Sequence, residues 1–287
     1  NIHWVSKDGL IGYFNTGIIN LKKYKNRFCH GFTSEDDIIN EIPKEEMFEI
    51  ISPKKGYIIS TNNKPASNNY LYNLTGNHYN TRAYRINTII NEFLHNDTKI
   101  SVDNANSITR DVKDPVAEYI IPKYLPIIKK NLNQKEQNSN KILHLLSKWD
   151  YVMSKNSKEA TLYAILERQL CINLLSINKK LTNEKNKGVL NFNVYYNFIY
   201  SLIERISNGE KVHLRECGSF NQKNDCEKYL VQVFINLKEY LQPYLDSTGD
   251  IKKWGDVSFD YFPFAPFDDI PVINKLFTKK MYNGGNR

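Results

Sequence analysis

The residues of this sequence that could take part in chemistry are concentrated in two short segments. The first is the stretch 56–65, which is apolar at its start and ends in the pair Asn62-Asn63 followed by Lys-Pro. The second begins at Thr81-Arg82, where an amphipathic helical pattern starts. An amide side chain can donate an N–H to a negatively charged atom, and a guanidinium can hold an oxygen with two hydrogen bonds. Taken alone, these residues are better explained as an asparagine that closes a turn and an arginine in a surface ion pair.

Other residue sets that carry out chemistry are missing from the sequence. There is no Gly-rich phosphate loop, no Cys-x-x-Cys or His-x-Glu metal set and no Gly-x-Ser-x-Gly nucleophile elbow. The 6 histidines are far apart and share no motif, and the carboxylates follow no pattern. These features alone predict an α+β domain and no particular activity.

The composition indicates a folded protein and excludes several classes. Of the 287 residues, 41% are hydrophobic and 24% are charged, and the 19 Tyr and 14 Phe favour a packed core over disorder. No apolar run approaches the roughly 18 to 20 residues of a membrane-spanning helix, and no signal peptide is visible. The net charge of +8 suggests a nucleic-acid partner, but the lysines are scattered and acidic residues lie among them. We therefore expect no membrane span and no nucleic-acid face.

The cysteines and the glycosylation sequons bear on the compartment. The 4 cysteines are too few for a disulfide scaffold and lack metal-site spacing. Cys217 and Cys226 flank a segment that a disulfide could close into a loop, and two free thiols at a helix junction explain them equally well. The sequons begin at Asn73 and Asn96 and fit a secretory route. Together these features favour an extracytoplasmic or secretory-pathway compartment.

Short strands are predicted near the beginning of the chain. Residues 2–6 and 10–14 read as strands and flank Lys-Asp-Gly, a connection typical of a β-hairpin. A third strand is predicted over residues 56–61, entered from Ser52-Pro53. After Gly249 the chain becomes aromatic and proline-punctuated, which predicts a return to strand and loop structure.

Between these two regions, from about residue 81 to residue 246, the apolar residues recur with helical spacing. Ser157, with Glu159 in the first turn, marks one helix start. The segments between the helices are rich in Asn, Lys and Gln and are predicted to be loops. The helical segments are 83–94, 115–130, 140–150, 157–175, 195–206 and 229–241.

The order of these motifs resembles that of the penicillin acylase family of N-terminal-nucleophile hydrolases. The most specific part is Gly-Tyr-Ile at 56–58 with Asn-Asn-x-Pro at 62–65, followed by Arg82 at the start of a helix. Weaker signatures occur in the same order, among them Leu-x-x-Trp-Asp at 146–150 and Trp254-Gly255. The resemblance therefore covers nearly the whole chain.

The resemblance implies an α+β fold, the αββα sandwich of N-terminal-nucleophile hydrolases, here partial and with a large helical segment. In this interpretation residues 1–80 are the part of the sheet core that carries the oxyanion asparagine. Residues 81–249 are a helical segment that covers the sheets and helps to frame the substrate cleft. Residues 250–287 return to the sheet core and are truncated.

The resemblance also implies two catalytic residues. In the family an N-terminal Ser, exposed by autoproteolytic processing, attacks an amide carbonyl and is activated by its own α-amino group. Asn62 matches the residue whose side-chain N–H stabilises the tetrahedral oxyanion. Arg82 matches the arginine that orients the amine and that asparagine, and that can meet a substrate carboxylate.

Several positions depart from the family pattern. Asn1 carries a carboxamide and cannot replace a Ser, Thr or Cys nucleophile, and its aligned position is far downstream of the nucleophile. The late His of the family is replaced by Ser258, and Tyr-Phe-Pro at 261–263 stands where His-Pro is usual. We therefore predict a fragment of the catalytic β chain that is inactive alone. Its nucleophile would lie on another chain or segment, and its partners would be companion chains of the same processed precursor.

No cofactor is required by this chemistry. In some members of the family an acidic residue ligates a structural calcium ion, and the aligned position here is Asn73. A neutral carboxamide is a weaker Ca²⁺ ligand than a carboxylate. We therefore expect no required metal, and Asn73 is a weak calcium position.

Two functions remain as hypotheses. The first is part of an amidohydrolase that cleaves linear N-acyl amide bonds in a small acyl or aromatic-acyl substrate. The alternative is a noncatalytic scaffold or binding protein with the same fold, which the missing nucleophile and the altered late motifs favour. A basic RNA-binding protein ranks last, because it would need salt-sensitive binding.

Overall fold

The computed structural model describes most of the chain in two compact units, residues 1–99 and residues 100–287. Each unit contains helix and strand, so the predicted α+β class is confirmed. The prediction of three parts with boundaries at 80 and 249 stays a prediction. The described residues are 1–22, 38–66, 69–72, 74, 80–132, 137–176, 223–262, 270, 272, 279–282 and 284–285.

The first unit begins with the predicted β-hairpin. Strand β1 (Ile2–Val5) pairs antiparallel with β2 (Ile11–Phe14). Gly9 lies in the turn with φ at 83°, a left-handed conformation that glycine adopts without steric cost. On one face of the hairpin the Trp4 indole lies directly against Gly12, so closely that an added Cβ would overlap the ring. The hairpin prediction is confirmed.

The third strand of this sheet is not the one predicted. A two-stranded ribbon of β3 (Asn20–Lys22) and β4 (Ile38–Glu41) comes next in the chain. After it, β5 (Glu49–Ile51) pairs antiparallel with β2. The predicted strand over residues 56–61 is wrong, because the chain turns sharply at Ser52, with φ at 40°, and again at Gly56, with φ at 78°. Beyond that turn the backbone is irregular.

The first unit ends in helix α1 (Asn80–His95), which confirms the helical pattern over 83–94. A small apolar core forms around Ile42, Ala66 and Leu74. Half-buried aromatic side chains, among them Phe48 and Tyr70, pack against this core with their rings edge to face. Asn96 lies exposed in the turn that follows α1.

The second unit is mainly helical. The helices among its described residues are α2 (Val102–Thr109), α3 (Pro115–Asn131), α4 (Gln137–Lys148), α5 (Lys158–Ser176), α6 (Lys223–Leu241) and the short α7 (Trp254–Val257). Side chains of α3 to α6 make the core, and Leu146, Tyr163, Leu166 and Phe234 are almost completely buried. The helices predicted at 115–130, 140–150, 157–175 and 229–241 are therefore confirmed. The predicted helix at 195–206 lies outside the described residues.

Side-chain caps fix two of these helix starts. Asp114 Oδ1 accepts hydrogen bonds from the backbone N–H groups of Val116 and Ala117, both at 2.9 Å. Ser157 Oγ accepts from the N–H of Ala160 at 3.0 Å, as the sequence predicted for the start of α5. These contacts satisfy backbone donors that have no partner within the first turn of a helix.

The end of the chain returns to strand structure, as predicted. Strands β6 (Phe259–Phe262) and β7 (Lys279–Tyr282) pair antiparallel. Trp254 Nε1 donates to the carbonyl of Gly285 at 2.8 Å, and the Gly285 N–H donates to Met153 O at 2.8 Å. Within the described part of the chain, no helix is both long and apolar enough to cross a membrane.

Candidate functional site

The structure brings together the two residues that the sequence predicted for the site. Arg82 lies in the first turn of α1, and its Nη2 donates to Asn62 Oδ1 at 2.7 Å. The same nitrogen donates to the carbonyl oxygen of Thr61 at 2.8 Å. One guanidinium therefore holds both the backbone before Asn62 and the Asn62 side chain.

The backbone at Asn62 adopts a left-handed conformation, with φ at 62°. Asparagine tolerates this conformation better than most residues with a Cβ atom. The next residue stabilises the turn, since Asn63 Oδ1 accepts from the Thr61 N–H at 2.8 Å. Asn63 Nδ2 also donates to the Lys64 carbonyl at 3.3 Å. The two asparagines thus differ in role, because Asn63 closes the turn whereas Asn62 presents its side chain at the surface.

The contact with Arg82 determines which way the Asn62 carboxamide faces. A guanidinium has only donors, so it must meet the oxygen of the amide and not the nitrogen. Asn62 Nδ2, with its two N–H donors, is therefore directed away from Arg82. No residue in the described ranges accepts a hydrogen bond from Nδ2, and Asn62 is exposed. Among the described residues this donor therefore remains available to a ligand.

The charge around Asn62 favours an anion. Arg82 is exposed, and no carboxylate of the described segments forms an ion pair with it. The first turn of α1 adds a partial positive charge, because its N–H groups point out of the helix end. An oxygen that gains negative charge beside Asn62 Nδ2 would therefore be stabilised by a neutral donor and by a nearby cation.

A third contact near the site was not predicted from the sequence. Tyr57 donates from its hydroxyl to Asn87 Oδ1 at 2.6 Å, and Asn91 Oδ1 lies 3.2 Å from the same hydroxyl. Partial burial raises the pKa of Tyr57 above its ordinary value. The spacing of the two asparagines, four residues apart on α1, is a signal that could have indicated a shared partner on one helix face.

The remaining predicted positions are not part of this arrangement. Asn1 Oδ1 accepts from the Tyr13 hydroxyl at 3.0 Å, which is a structural contact of the hairpin. The Ser258 N–H bonds to the Trp254 carbonyl at 2.8 Å and ends helix α7. In the described residues no group of three His, Cys, Asp or Glu side chains could hold a metal ion. Asn73 lies outside the described residues, as do the side chains of Cys217 and Cys226.

The described contacts combine three features around Asn62. They are a fixed amide donor, a cation that orients this donor and a turn that exposes it. In the described residues nothing beside Asn62 has the chemistry of an activated nucleophile or a general base. The arrangement can stabilise a developing oxyanion, and a bond-breaking reaction would need groups supplied from elsewhere.

Comparisons with known proteins show which family and which solved structure this chain is similar to. The family model described as penicillin amidase matches residues 1–286. The solved structure of a thermostable penicillin G acylase from Alcaligenes faecalis is similar with a TM-score of 0.63 and 14% sequence identity. The similarity covers 99% of this chain and 54% of that chain, so this chain spans about half the length of that acylase chain. None of the curated proteins matches. The likeness in fold confirms the predicted class, the N-terminal-nucleophile hydrolase fold.

Proposed function

Because this chain belongs to the penicillin amidase family, we propose that it forms part of an amidohydrolase that cleaves linear N-acyl amide bonds. Asn62 would stabilise the oxyanion of the tetrahedral intermediate. The observation that carries this proposal is the hydrogen bond from Arg82 to Asn62 Oδ1, which leaves the Nδ2 donor directed away from the cation.

The proposed reaction has two steps. A Ser at the N-terminus of another chain or segment attacks the amide carbonyl carbon, and its own α-amino group takes the hydroxyl proton. The carbonyl oxygen becomes an oxyanion, to which Asn62 Nδ2 donates. When the tetrahedral intermediate collapses, the C–N bond breaks, and the amine leaves with the proton from the α-ammonium group. Water then attacks the acyl ester and releases the carboxylic acid and the free Ser.

Arg82 would act on Asn62 and not on the bond that breaks. Its two contacts fix the carboxamide before the substrate arrives, so that little reorganisation is needed when the oxyanion forms. A fixed donor of this kind stabilises the transition state more than the ground state, because the oxygen gains charge only as the nucleophile attacks. A substrate carboxylate could also meet the exposed guanidinium.

Companion chains follow from the same proposal. The similarity covers 54% of the acylase chain, and the catalytic Ser would be contributed by another chain or segment of the processed precursor in a secretory-pathway or extracytoplasmic compartment. This chain would be inactive alone. Intact mass spectrometry of the purified protein under native conditions should reveal a partner chain whose first residue is Ser, Thr or Cys, and a purified protein without such a chain would contradict the proposal.

The proposed chemistry requires no metal ion, because an amide side chain and an N-terminal amine do the work that a metal does in other hydrolases. Dialysis of the complete protein against EDTA should leave kcat unchanged. A loss of activity that added calcium restores would show a metal requirement. A change of thermal midpoint without a change of kcat would place calcium in a structural role.

The direct test uses two substitutions of Asn62 in the complete protein. Asn62→Gly removes the donor and suits the left-handed backbone, while Asn62→Asp keeps the shape but replaces the N–H donors with a carboxylate oxygen. Turnover is measured with phenylacetyl, hexanoyl and decanoyl p-nitroanilides as N-acyl substrates. Asn106→Asp, the same change at an exposed position of α2, is the matched control.

Both Asn62 variants should lose about 10²- to 10³-fold in kcat, as is typical when one oxyanion donor is removed. Asn106→Asp should retain wild-type kcat. Full activity in Asn62→Gly would overturn the assigned role. Absence of turnover in the wild-type protein with every N-acyl substrate would favour the alternative of a noncatalytic scaffold.

A further inference from the structure

The segment that carries Asn62 is not held by a sheet. Residues 57–62 form no strand, and no backbone–backbone hydrogen bond joins them to another described segment. The last backbone contact before them is the Gly56 N–H to the Pro53 carbonyl at 2.8 Å. The position of Asn62 therefore depends on side-chain contacts that tie the segment down.

Among the described residues, two such attachments hold this segment, and both lead to helix α1. At one end Arg82 holds the Thr61 carbonyl and the Asn62 carboxamide. At the other end the Tyr57 hydroxyl contacts Asn87 and Asn91. The helix rises about 1.5 Å per residue, so these asparagines lie roughly 7.5 and 13.5 Å further along the axis than Arg82. Residues 57–62 thus run along α1 antiparallel to it, fixed near both ends.

The contacts of Tyr57 can hold this side chain in one position. A phenol hydroxyl has one proton and can also accept a hydrogen bond, so it can engage both carboxamides when one of them presents its N–H group. The Tyr57 ring is half-buried, and the Lys55 ammonium lies over it, 4.7 Å from the ring centre. Ile58 and Ile59, the next two residues, are also half-buried. The tyrosine is thus restrained by its ring as well as by its hydroxyl.

We propose that Tyr57 is a positioning residue of the site, which acts through Asn62 by clamping the segment 57–62 onto α1. This inference rests on the proposed function, since it assigns Tyr57 the task of holding the oxyanion donor in place. Tyr57 does not touch the reacting atoms. Without its hydroxyl the segment would lose its hydrogen bonds to Asn87 and Asn91, and the Asn62 donor would sample positions away from the oxyanion.

The first arm of the test measures how firmly residues 57–62 are held on α1 and needs no activity assay. Hydrogen–deuterium exchange of the Thr61 amide, whose N–H bonds to Asn63 Oδ1, is compared in the complete wild-type protein, in Tyr57→Phe and in the double variant Asn87→Ala/Asn91→Ala. Both variants should exchange this amide at least several-fold faster. Tyr70→Phe is the matched control, because the Tyr70 hydroxyl donates to the Glu46 carbonyl and not to α1. Unchanged exchange in Tyr57→Phe would overturn the clamp.

The second arm measures the effect on the reaction. Tyr57→Phe should lower kcat about 10-fold with little change in KM, within the loss of up to about 10²-fold that a misplacement near 1 Å can cause. Tyr70→Phe should keep its kcat. In the background of Asn62→Gly, Tyr57→Phe should have no further effect on the residual kcat, because there is no donor left to position. A Tyr57→Phe loss of equal size in both backgrounds would show a general structural role and would overturn the inference.

The two proposals fail in different ways. If Asn62→Gly keeps full kcat, the proposed function fails, whatever the exchange data show. If Asn62→Gly loses kcat but Tyr57→Phe does not, the proposed function stands and the positioning role of Tyr57 is overturned.

Discussion

Asn62 Oδ1 accepts a hydrogen bond from Arg82 Nη2 at 2.7 Å, although 19 residues separate these two positions in the chain. This contact joins an irregular turn to the first turn of a helix. It gives the Asn62 carboxamide a defined orientation, because the cation selects the oxygen and leaves the nitrogen to face outward. The proposed catalytic role depends on this orientation.

Replacement of Arg82 should therefore reduce turnover through Asn62. Arg82→Lys keeps the charge but replaces the planar guanidinium, whose Nη2 meets both oxygens, with a compact ammonium, so we expect kcat to fall roughly 10-fold, and further in Arg82→Ala. Arg110→Lys, at the exposed end of α2, is the matched control and should leave kcat unchanged. Equal kcat in Arg82→Ala and the wild-type protein would show that the contact has no catalytic consequence.

Because the backbone at Asn62 is left-handed, two substitutions of this residue can separate its effect on protein stability from its effect on activity. Asn62→Ala places an ordinary side chain at φ 62° and should cost about 1 kcal/mol of unfolding free energy, whereas Asn62→Gly should cost less. Thermal and urea denaturation measure this difference. If both variants lose activity equally while only Asn62→Ala is destabilised, the activity loss arises from the missing donor. If the side chain, and not the backbone conformation, determined the stability, Asn62→Gly would be destabilised more than Asn62→Ala.

The cap of α3 provides a test of the second unit. Asp114 is buried and accepts from two backbone N–H groups, so Asp114→Ala should lower the unfolding free energy by about 1 to 2 kcal/mol. Asp114→Asn should recover much of this loss, because asparagine is also a good N-cap residue. Asp103→Ala, in the exposed first turn of α2, should have little effect. If Asp103→Ala lowered the unfolding free energy as much as Asp114→Ala, the assignment of Asp114 as the stabilising cap would be contradicted.

Acid should weaken one ion pair of the second unit. The ammonium of Lys158 lowers the pKa of Asp250, which also accepts from the Ile251 N–H. A lowered pKa in the folded state gives stability that is present above the ordinary aspartate pKa of about 3.9 and is lost as the pH falls through the folded value. The thermal midpoint of Asp250→Asn should thus be slightly below that of the wild-type protein at pH 7. The two midpoints should converge in acid.

The effect of Asp250 should be small, because both side chains of the pair are more than one-third exposed and solvent screens them. Added salt should reduce the difference at pH 7. Asp8→Asn, at the exposed hairpin turn, is the control that reports the effect of losing one surface carboxylate. If the difference in thermal midpoint between Asp250→Asn and the wild-type protein grew in acid, it would contradict the predicted pH dependence.

The sequence predicted the elements that are determined by interactions between neighbouring residues, such as turns and helix caps. The hairpin of β1 and β2 has a short polar turn with Gly9, and the start of α5 has a serine cap, so both are visible in a few adjacent residues. The strand predicted at 56–61 is wrong because its apolar residues resemble a strand, whereas the turns at Ser52 and Gly56 lead them out of the sheet. There Tyr57 bonds to α1 instead of a strand partner.

The site itself was predicted only in part. The order of motifs indicated Asn62 and Arg82, and the structure places them in contact. The bond from Tyr57 to Asn87 joins residues 30 positions apart, and it depends on how the irregular segment lies on the helix. No local period or spacing encodes such a contact, although the pair Asn87 and Asn91 on one helix face is consistent with it.

The central claim is that Asn62 stabilises an oxyanion, and a transition-state analogue tests it most directly. A boronic acid that carries the best acyl group forms a tetrahedral adduct with the nucleophilic Ser and presents an oxygen where the oxyanion would lie. Its inhibition constant is compared with the substrate KM in the complete wild-type protein and in Asn62→Gly. Our account predicts that the inhibition constant rises about 10²- to 10³-fold in Asn62→Gly while KM changes little. An inhibition constant that does not rise, or that rises only in step with KM, would contradict it.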